Sequence, residues 1–472
     1  MKLTKILSCV ISSACVLSAF SGCTPSQSVN NDKDEQGRTM LSVGNWPAED
    51  TTDVDYLERI TKQKEEFEAD NPTMAIVPDT WGFDLQTFYS KAAADQLPDL
   101  YYANFTEIEK IAAGEYFTDL TEGLKRAGYE NVFNEAILNL ITRDGKICTF
   151  PTNAYSLGLA YNVDLFEKSG LMNEDGTPMQ PKDWDEVVEF GKKITEATGK
   201  AGFVIPTMGN CGGWLFTPIA WSYGTEFMKG DGEGGYTATF DSQNTIDALQ
   251  YISDLKWKHN IFLDNSLIDL TEYYKQFAIG NIGMIITAGN FTGQLYQYEM
   301  PIEHMGIMAI PAGPEKHVTL TGGYTATVAN GATEDQVDVA IKWLEKVGSG
   351  YKLDEADKRI IEDSYKETVE KNHVVGIDEL SVWNSETEIG KFTDELRKKY
   401  TNININHVRL YNESLNDASI ELRPEEPVCA QELYAVFDGI IQEILTNKDA
   451  DIPALVKKAN EDFQSNYLNN LD

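Results

Sequence analysis

Short apolar segments alternate with amphipathic helical segments along most of this chain. Residues 41–46, 74–77 and 99–102 have the pattern of strands, and the stretches between them place apolar side chains at helical spacing. The same order resumes at residues 156–161 and continues to about residue 345. Strands that alternate with helices favour a largely parallel sheet with helices on both faces. The sequence therefore predicts an α/β fold.

The length and the charge of the chain limit its architecture and its partners. A chain of 472 residues is longer than a single hydrophobic core usually encloses, so two lobes are expected. Its 75 acidic residues against 39 basic ones give a net charge of −36. Such an excess of negative charge repels phosphate backbones, and we therefore expect no nucleic-acid partner.

The N-terminal segment has the order of a secretory signal peptide. Two lysines precede an apolar run over residues 6–20, and a Ser-Gly pair leads to Cys23. Because this run is shorter than the ~20 residues that span a bilayer, residues 1–22 are interpreted as a signal peptide. The residues before Cys23 are similar to a bacterial lipobox, with Phe20 where leucine is usual, and they predict that Cys23 is lipidated, with palmitate among the acyl chains. Ordinary secretion with a free thiol is the alternative.

Residues 23–38 are polar and have the composition of a flexible linker. An anchor of two or more acyl chains would hold the protein stably on the extracellular face of the cell membrane. We expect a globular body that begins at about residue 39 and works outside the cell.

Spacing in the sequence offers no metal or cofactor site. Cys148, Cys211 and Cys429 lie beyond the lipidation site, and their odd number and wide spacing fit neither a disulfide framework nor a zinc site. The five histidines are scattered, and the sequence has neither a Gly-x-Ser-x-Gly elbow nor a phosphate loop. We therefore expect no metal, no cofactor and no catalytic residue.

Several local motifs occur in a fixed order between residues 40 and 345. They are LPDL at 97–100, GEYFTDLT at 114–121, DGK at 144–146 with FP at 150–151, LAYNVDLFEKSGL at 159–171, FAIGN at 277–281 with GM at 283–284, and IPAGP at 310–314. In this order they resemble the extracellular solute-binding proteins of bacterial ABC importers, in particular their carbohydrate-binding lipoproteins. Arg423-Pro424 fits the same pattern, whereas residues 349–422 are longer than the pattern expects.

The resemblance implies a periplasmic-binding-protein-like fold, in which two α/β lobes enclose a ligand cleft and a hinge is crossed several times. By this analogy, the first two crossings lie at residues 153–156 and 310–313. The expected division is a signal peptide (1–22), a linker (23–38), the first part of lobe 1 (39–153), the first part of lobe 2 (154–310), a return to lobe 1 (311–348), and a helical remainder mostly in lobe 2 (349–472).

The resemblance also implies a function and partners. It predicts a monomeric receptor, not an enzyme, that binds a carbohydrate, in particular an oligosaccharide, and delivers it to the permease subunits of an ABC transporter. One alternative is a secreted carbohydrate-active enzyme of the glycoside hydrolase type, because 75 carboxyl groups make chance acid pairs inevitable. A receptor for another solute, such as a peptide or a polyamine, is the other alternative.

Candidate ligand contacts follow predicted strands or lie on the predicted hinge. Ligands of open α/β lobes bind beyond the carboxyl ends of strands, and sugars are held by stacked rings and by side chains that hydrogen-bond to hydroxyls. Core packing is the alternative for each aromatic residue, and a plain turn is the alternative for Asn104. The candidates are Trp46, Trp81, Asn104, Tyr155, Trp214, Asn290, Phe291 and Tyr324.

Overall fold

One long sheet runs through both halves of the molecule. The computed structural model describes residues 33–232 and 234–471, and within them the main sheet has nine strands. Cys23 and the expected signal peptide lie outside the described residues, as does the beginning of the expected linker. No helix in the described part of the chain is long and apolar enough to cross a membrane.

Short strands alternate with helices along the described residues. The strands are β1 (Thr39–Val43), β2 (Met74–Pro78), β3 (Leu100–Asn104), β4 (Thr142–Arg143), β5 (Lys146–Ile147), β6 (Phe150–Asn162), β7 (Ala201–Phe203), β8 (Met228–Gly230), β9 (Tyr236–Ala238), β10 (Ile282–Ala288), β11 (Met305–Met308), β12 (Val318–Val328) and β13 (Glu421–Arg423). The helices are α1 (Val54–Asp70), α2 (Leu85–Ala93), α3 (Ile108–Ala113), α4 (Thr121–Ala127), α5 (Glu135–Ile141), α6 (Val163–Lys168), α7 (Trp184–Thr198), α8 (Cys211–Ser222), α9 (Gln243–Trp257), α10 (Leu270–Ala278), α11 (Thr292–Leu295), α12 (Glu334–Leu344), α13 (Glu355–Glu370), α14 (Glu388–Tyr400), α15 (Arg409–Ser414), α16 (Ala430–Thr446) and α17 (Ile452–Asn466).

Strand β6 connects the two halves of the main sheet. The strand order is β2-β1-β3-β12-β6-β10-β7, with β11 also paired to β6 and β13 to β12. Strand β1 is parallel to β2 and β3, whereas β12 is antiparallel to β3 and β6. Residues 150–156 of β6 pair with β12, and residues 157–162 pair with β10 and β11. The chain thus passes from lobe 1 to lobe 2 within one continuous strand.

Each lobe has a hydrophobic core of its own. In lobe 1, β1 and β3 pack Leu41 and Leu100 against Trp343 of α12, and Phe88 and Tyr101 form a smaller cluster. In lobe 2, the strands beyond the β6 crossing pack against α7, α8, α9 and α16. Phe105 and Ile108, which follow β3, also pack in the larger cluster, so the two lobes meet at this turn.

Helix α7 illustrates how local sequence builds lobe 2. The Asp183 side chain accepts a hydrogen bond from the Glu186 backbone N–H, which caps the helix. Glu186 completes only part of a capping box, because its carboxylate accepts from the Lys182 backbone N–H instead of that of Asp183. Trp184 and Ile194 are buried, and Gly199 ends the helix in the left-handed region at φ 69°.

The long segment after α12 contacts both lobes. Tyr351 donates its hydroxyl hydrogen to the Gly128 carbonyl, and Trp383 stacks on Phe133 of lobe 1 with ring centroids 5.4 Å apart. The later Tyr411 donates to the Ser156 carbonyl. Helix α13 covers a pocket against α1 of lobe 1. Most buried apolar residues between Leu380 and Leu468 belong to the lobe 2 core, and the segment contacts lobe 1 through α13 and the rings of Tyr351 and Trp383.

Candidate ligand-binding site

The turn after β3 in lobe 1 faces the start of α16 in lobe 2. Thr106 Oγ1 donates a hydrogen bond of 2.8 Å to Glu425 Oε2, which joins the two lobes directly. Strand β3 ends at Asn104, so this turn lies at the carboxyl edge of the lobe 1 sheet. Ligands of open α/β sheets bind at this edge. We call the space between the turn and the start of α16 the cleft.

A buried acid and a buried base lie side by side in the cleft. The side chains of Glu107 and Lys110 are each 9% exposed, and Lys110 Nζ lies 3.3 Å from Glu107 Oε2. Burial raises the pKa of Glu107, Lys110 offsets part of that rise, and nearby Glu425 adds to it. The two groups form an ion pair, and Glu107 Oε2 has no hydrogen-bond partner of good geometry among the described residues. A buried acceptor of this kind gains from a ligand that donates a hydrogen bond.

Tyrosines from both lobes surround this pair. Burial raises the pKa of Tyr89, and the nearby Glu107 raises it further. Tyr236 and Cys429 of lobe 2 act on the pKa of Tyr89 in the same direction. Tyr434 of α16 is buried beside Glu425. Phenol rings and carboxylates therefore share the cleft.

Three of the candidates from the sequence lie together at the hinge. Tyr324 of β12 is 57% exposed and stands opposite the exposed Asn104 in the β3–β12 register. The side chain of Tyr155 on β6 lies over Gly322 of β12. A Cβ atom at position 322 would lie 2.3 Å from the Tyr155 hydroxyl. Burial raises the pKa of Tyr155, and Glu425 and Tyr324 add to the rise. Asn104, Tyr155 and Tyr324 are therefore grouped beside the cleft.

Two further candidates are half-buried at the rims of the lobes. Trp81 follows β2, its indole N–H donates to Thr87 Oγ1 at 3.2 Å, and Lys91 Nζ lies 5.8 Å from the ring centroid. The Trp81 carbonyl accepts from the Asn45 backbone N–H, so the loops after β1 and β2 are adjacent. Trp214 is in the first turn of α8, which approaches α16 closely because the neighbouring residue is Gly213.

The structure places Trp46 and Phe291 in the cores instead of in the cleft. Trp46 is 8% exposed and stacks on Trp343, with ring centroids 6.0 Å apart and planes 22° apart. Phe291 is 1% exposed and packs against Phe277. Both rings have the environment that core packing, the alternative for each, predicts, and a stacking contact with a sugar stays a prediction. Asn290 is exposed on the turn after β10, away from the contacts that define the cleft.

Sequence reasoning missed the charged residues of the cleft. Thr106, Glu107 and Lys110 follow Asn104 within six residues, on the strand-end loop that had been selected. Glu425 follows Arg423-Pro424, which is part of the family pattern. Position after a strand was therefore a usable signal, but burial was not visible in the sequence. Among the described residues, no three His, Cys, Asp or Glu side chains are grouped as a metal site.

Comparisons with known proteins agree with this architecture. An arabinooligosaccharide-binding protein of Halalkalibacterium halodurans is 26% identical over 296 residues, which are 60% of this chain and 62% of that protein. A Brucella abortus protein, named only as a binding protein, is 27% identical over 293 residues, which are 59% of this chain and 64% of that protein. The matched regions thus span slightly less than two thirds of the length of these curated relatives.

A solved structure has the same fold. The cyclic α-maltosyl-1,6-maltose binding protein of Arthrobacter globiformis superposes with a TM-score of 0.59 over 91% of this chain and 99% of that protein, at 20% identity. This likeness confirms the predicted two-lobe α/β fold. Residues 48–349 match the sequence model of a family described as bacterial extracellular solute-binding proteins. The chain therefore belongs to the bacterial extracellular solute-binding protein family.

Proposed function

We propose that this protein is a lipid-anchored extracellular receptor that binds an oligosaccharide between its lobes, leaves it unchanged and delivers it to an ABC permease. The observation that carries the proposal is the buried Glu107 carboxylate, whose Oε2 lacks a hydrogen-bond donor among the described residues. It lies where the two lobes meet, and a ligand that donates to it would favour the closed arrangement. Membership of the solute-binding family supports a receptor over an enzyme.

The chemistry of the cleft favours a polyhydroxylated ligand. Sugar hydroxyls can donate to Glu107 and Glu425 and accept from Lys110, while the C–H faces of a sugar can pack on Tyr89 or Tyr155. A ligand that is only apolar would leave Glu107 buried without a donor, which typically destabilises a complex by about 1–3 kcal/mol. The name of the arabinooligosaccharide-binding relative supports the same ligand class.

Calorimetry against a panel of glycans tests the proposal. The panel contains maltooligosaccharides, arabinooligosaccharides and chitooligosaccharides, and chromatography of the recovered glycan checks whether it was altered. We expect one series to bind at one site per protein and to be recovered intact. Hydrolysis of a glycan would instead support a carbohydrate-active enzyme, and binding of a peptide or polyamine alone would support a receptor for another solute.

Trp81→Ala is expected to weaken glycan binding about tenfold while the fold is retained. A ring that packs on a sugar contributes roughly 1 kcal/mol beyond its buried area, and Trp81 lies half-buried on a strand-end loop. Calorimetry measures the affinity, and circular dichroism monitors folding. Trp257→Phe, in a lobe 2 helix, is the control and should leave the affinity unchanged. An unchanged affinity in Trp81→Ala would remove Trp81 from the site.

Cys23→Ser is expected to release the protein from the membrane. The lipobox-like residues before Cys23 predict thioether-linked acyl chains, which serine cannot accept. Immunoblots of membrane and medium fractions from bacteria that process lipoproteins would show the wild-type chain with the membrane and the variant in the medium or periplasm. Equal membrane association of the two proteins would contradict anchoring through Cys23.

A further inference from the structure

A second pocket lies on lobe 1 beneath α13. It has a volume of about 600 Å³, within the range of about 300–1,000 Å³ that is typical of small-molecule sites. Its floor is formed by the loop after β1 with Asn45, by Tyr56 and Arg59 of α1, and by Tyr102 of β3. Ile360 of α13 lies on the opposite side. We call this space the α13 pocket.

Several polar groups of the α13 pocket are free to meet a ligand. The hydroxyls of Tyr56 and Tyr102 and the side chain of Asn45 form no hydrogen bond within the described chain. Burial raises the pKa of Tyr102, and Tyr56 raises it further, so the Tyr102 phenol is largely enclosed beside a second phenol. The Arg59 guanidinium lies 5.3 Å from the Tyr56 ring centroid and forms no ion pair with a described residue.

The walls of the pocket favour a neutral, polyhydroxylated ligand. The lining holds cations (Arg59, Lys346 and Lys352) and carboxylates (Glu345 and Asp357), and Lys346 is already paired with Glu66, so fixed charges of both signs are present. Aromatic and aliphatic surface comes from the rings of Tyr56 and Tyr102 and from Ile360 and Ile361 of α13. A sugar presents flat C–H faces and hydroxyl groups. The apolar rings of the pocket can pack on the first, and its unpaired hydroxyl and amide groups can hydrogen-bond to the second.

The α13 pocket shares its loops and strands with the carboxyl edge of the lobe 1 sheet, where the cleft lies. Thr152 lines the pocket and donates its Oγ1 hydrogen to the Tyr324 carbonyl at 2.9 Å. Asn45 donates its backbone N–H to the carbonyl of Trp81 at 2.8 Å. Tyr102 precedes Asn104 by two residues on β3 and so points to the same sheet face.

We propose that the α13 pocket binds one end of the oligosaccharide whose other end is held at Glu107. The inference rests on the proposed function, because it assigns a second group of contacts to the same ligand. It predicts a preference for glycans that are long enough to reach from the cleft to Tyr102. A disaccharide would occupy only the cleft.

Calorimetry with glycans of two to six units, from whichever series of the panel binds, tests this assignment. We expect wild-type affinity to rise with length. Tyr102→Phe should weaken hexasaccharide binding about fivefold to tenfold and leave the disaccharide unchanged, because one hydrogen bond is lost. Arg59→Ala should act in the same direction. Phenylalanine removes a hydroxyl that has no partner in the described chain, so the thermal unfolding temperature should stay the same.

Lys62→Ala is the matched control, since Lys62 is an exposed cation on α1 that does not line the α13 pocket. It should bind both glycans as the wild type does. Equal affinities of wild type and Tyr102→Phe for the hexasaccharide, or equal losses for both lengths, would overturn the pocket assignment and leave the proposed function in place. A wild-type protein that binds no glycan would overturn both.

Discussion

Replacing Trp46 by alanine is expected to lower the free energy of unfolding by about 3–5 kcal/mol. The ring is 8% exposed and stacks on Trp343, which is itself fully buried and meets Phe67 edge to face at 5.6 Å. Alanine would remove the indole ring from an aromatic cluster that also contains Trp343 of α12 and Phe67 of α1. The cavity that remains adds to the lost transfer energy, because a packed core relaxes only in part.

Urea denaturation monitored by far-ultraviolet circular dichroism measures this loss. Trp81→Ala is the comparison, since Trp81 is only half-buried and should lose less than about 1.5 kcal/mol. A Trp46→Ala variant with wild-type stability and lost glycan affinity would contradict the core assignment and restore Trp46 as a ligand contact.

Glu107→Gln is expected to weaken glycan binding about 30-fold at neutral pH. The carboxylate is buried with an acceptor atom that has no hydrogen-bond donor among the described residues, so a ligand hydroxyl would form a charge-assisted bond to it. Such bonds contribute roughly 2 kcal/mol, and glutamine keeps the shape of the side chain while it loses the charge. Calorimetry on the glycan that binds the wild type measures the effect.

The affinity for the glycan should also depend on pH through Glu107. Burial raises the pKa of Glu107 above the ordinary value of 4.5. A ligand that donates to the carboxylate prefers its charged form, so affinity should be full above the raised pKa and should fall as the pH decreases through it. Glu107→Gln should lack this dependence. Glu115→Gln, an exposed glutamate nearby in the sequence, should behave as the wild type does.

Loss of stability should not explain the effect of Glu107→Gln. A raised pKa in the folded state means that the charged carboxylate destabilises the fold relative to its neutral form. Glutamine is neutral at every pH, so the variant should be at least as stable as the wild type at pH 7; this advantage should decrease as the pH falls through the raised pKa and be gone below about 4.5. A variant that unfolds more easily at pH 7, or an unchanged affinity, would contradict the role given to Glu107.

Periodicity and capping residues were sufficient to predict much of the fold. Helix α16 (Ala430–Thr446) lies in the remainder expected to be helical, and its buried residues recur at helical spacing. Asp183 caps α7 because an aspartate before an apolar-striped segment has few competing roles. Strand β6 begins earlier than predicted, at Phe150, because its first half pairs with β12, a strand more than 160 residues away. Long-range pairing of that kind leaves no local pattern.

The site was harder to predict than the fold because burial depends on tertiary packing. Trp46 and Trp81 both follow strands, yet only the Trp46 ring turns under α12 toward Trp343. Glu107 is one of 75 acidic residues in the sequence, and only the folded chain shows that it is buried. Residues 349–422 matched no family pattern, so the α13 pocket could not be foreseen.

Small-angle X-ray scattering of the purified protein, with and without the glycan that binds in calorimetry, tests the central claim most directly. If the two lobes close on a saccharide at Glu107, the radius of gyration of the wild-type protein should decrease when the glycan is saturating. The Glu107→Gln variant should show no such decrease at a glycan concentration that does not saturate the variant. Superimposable curves for the free and saturated wild-type protein would contradict closure of the cleft around the ligand.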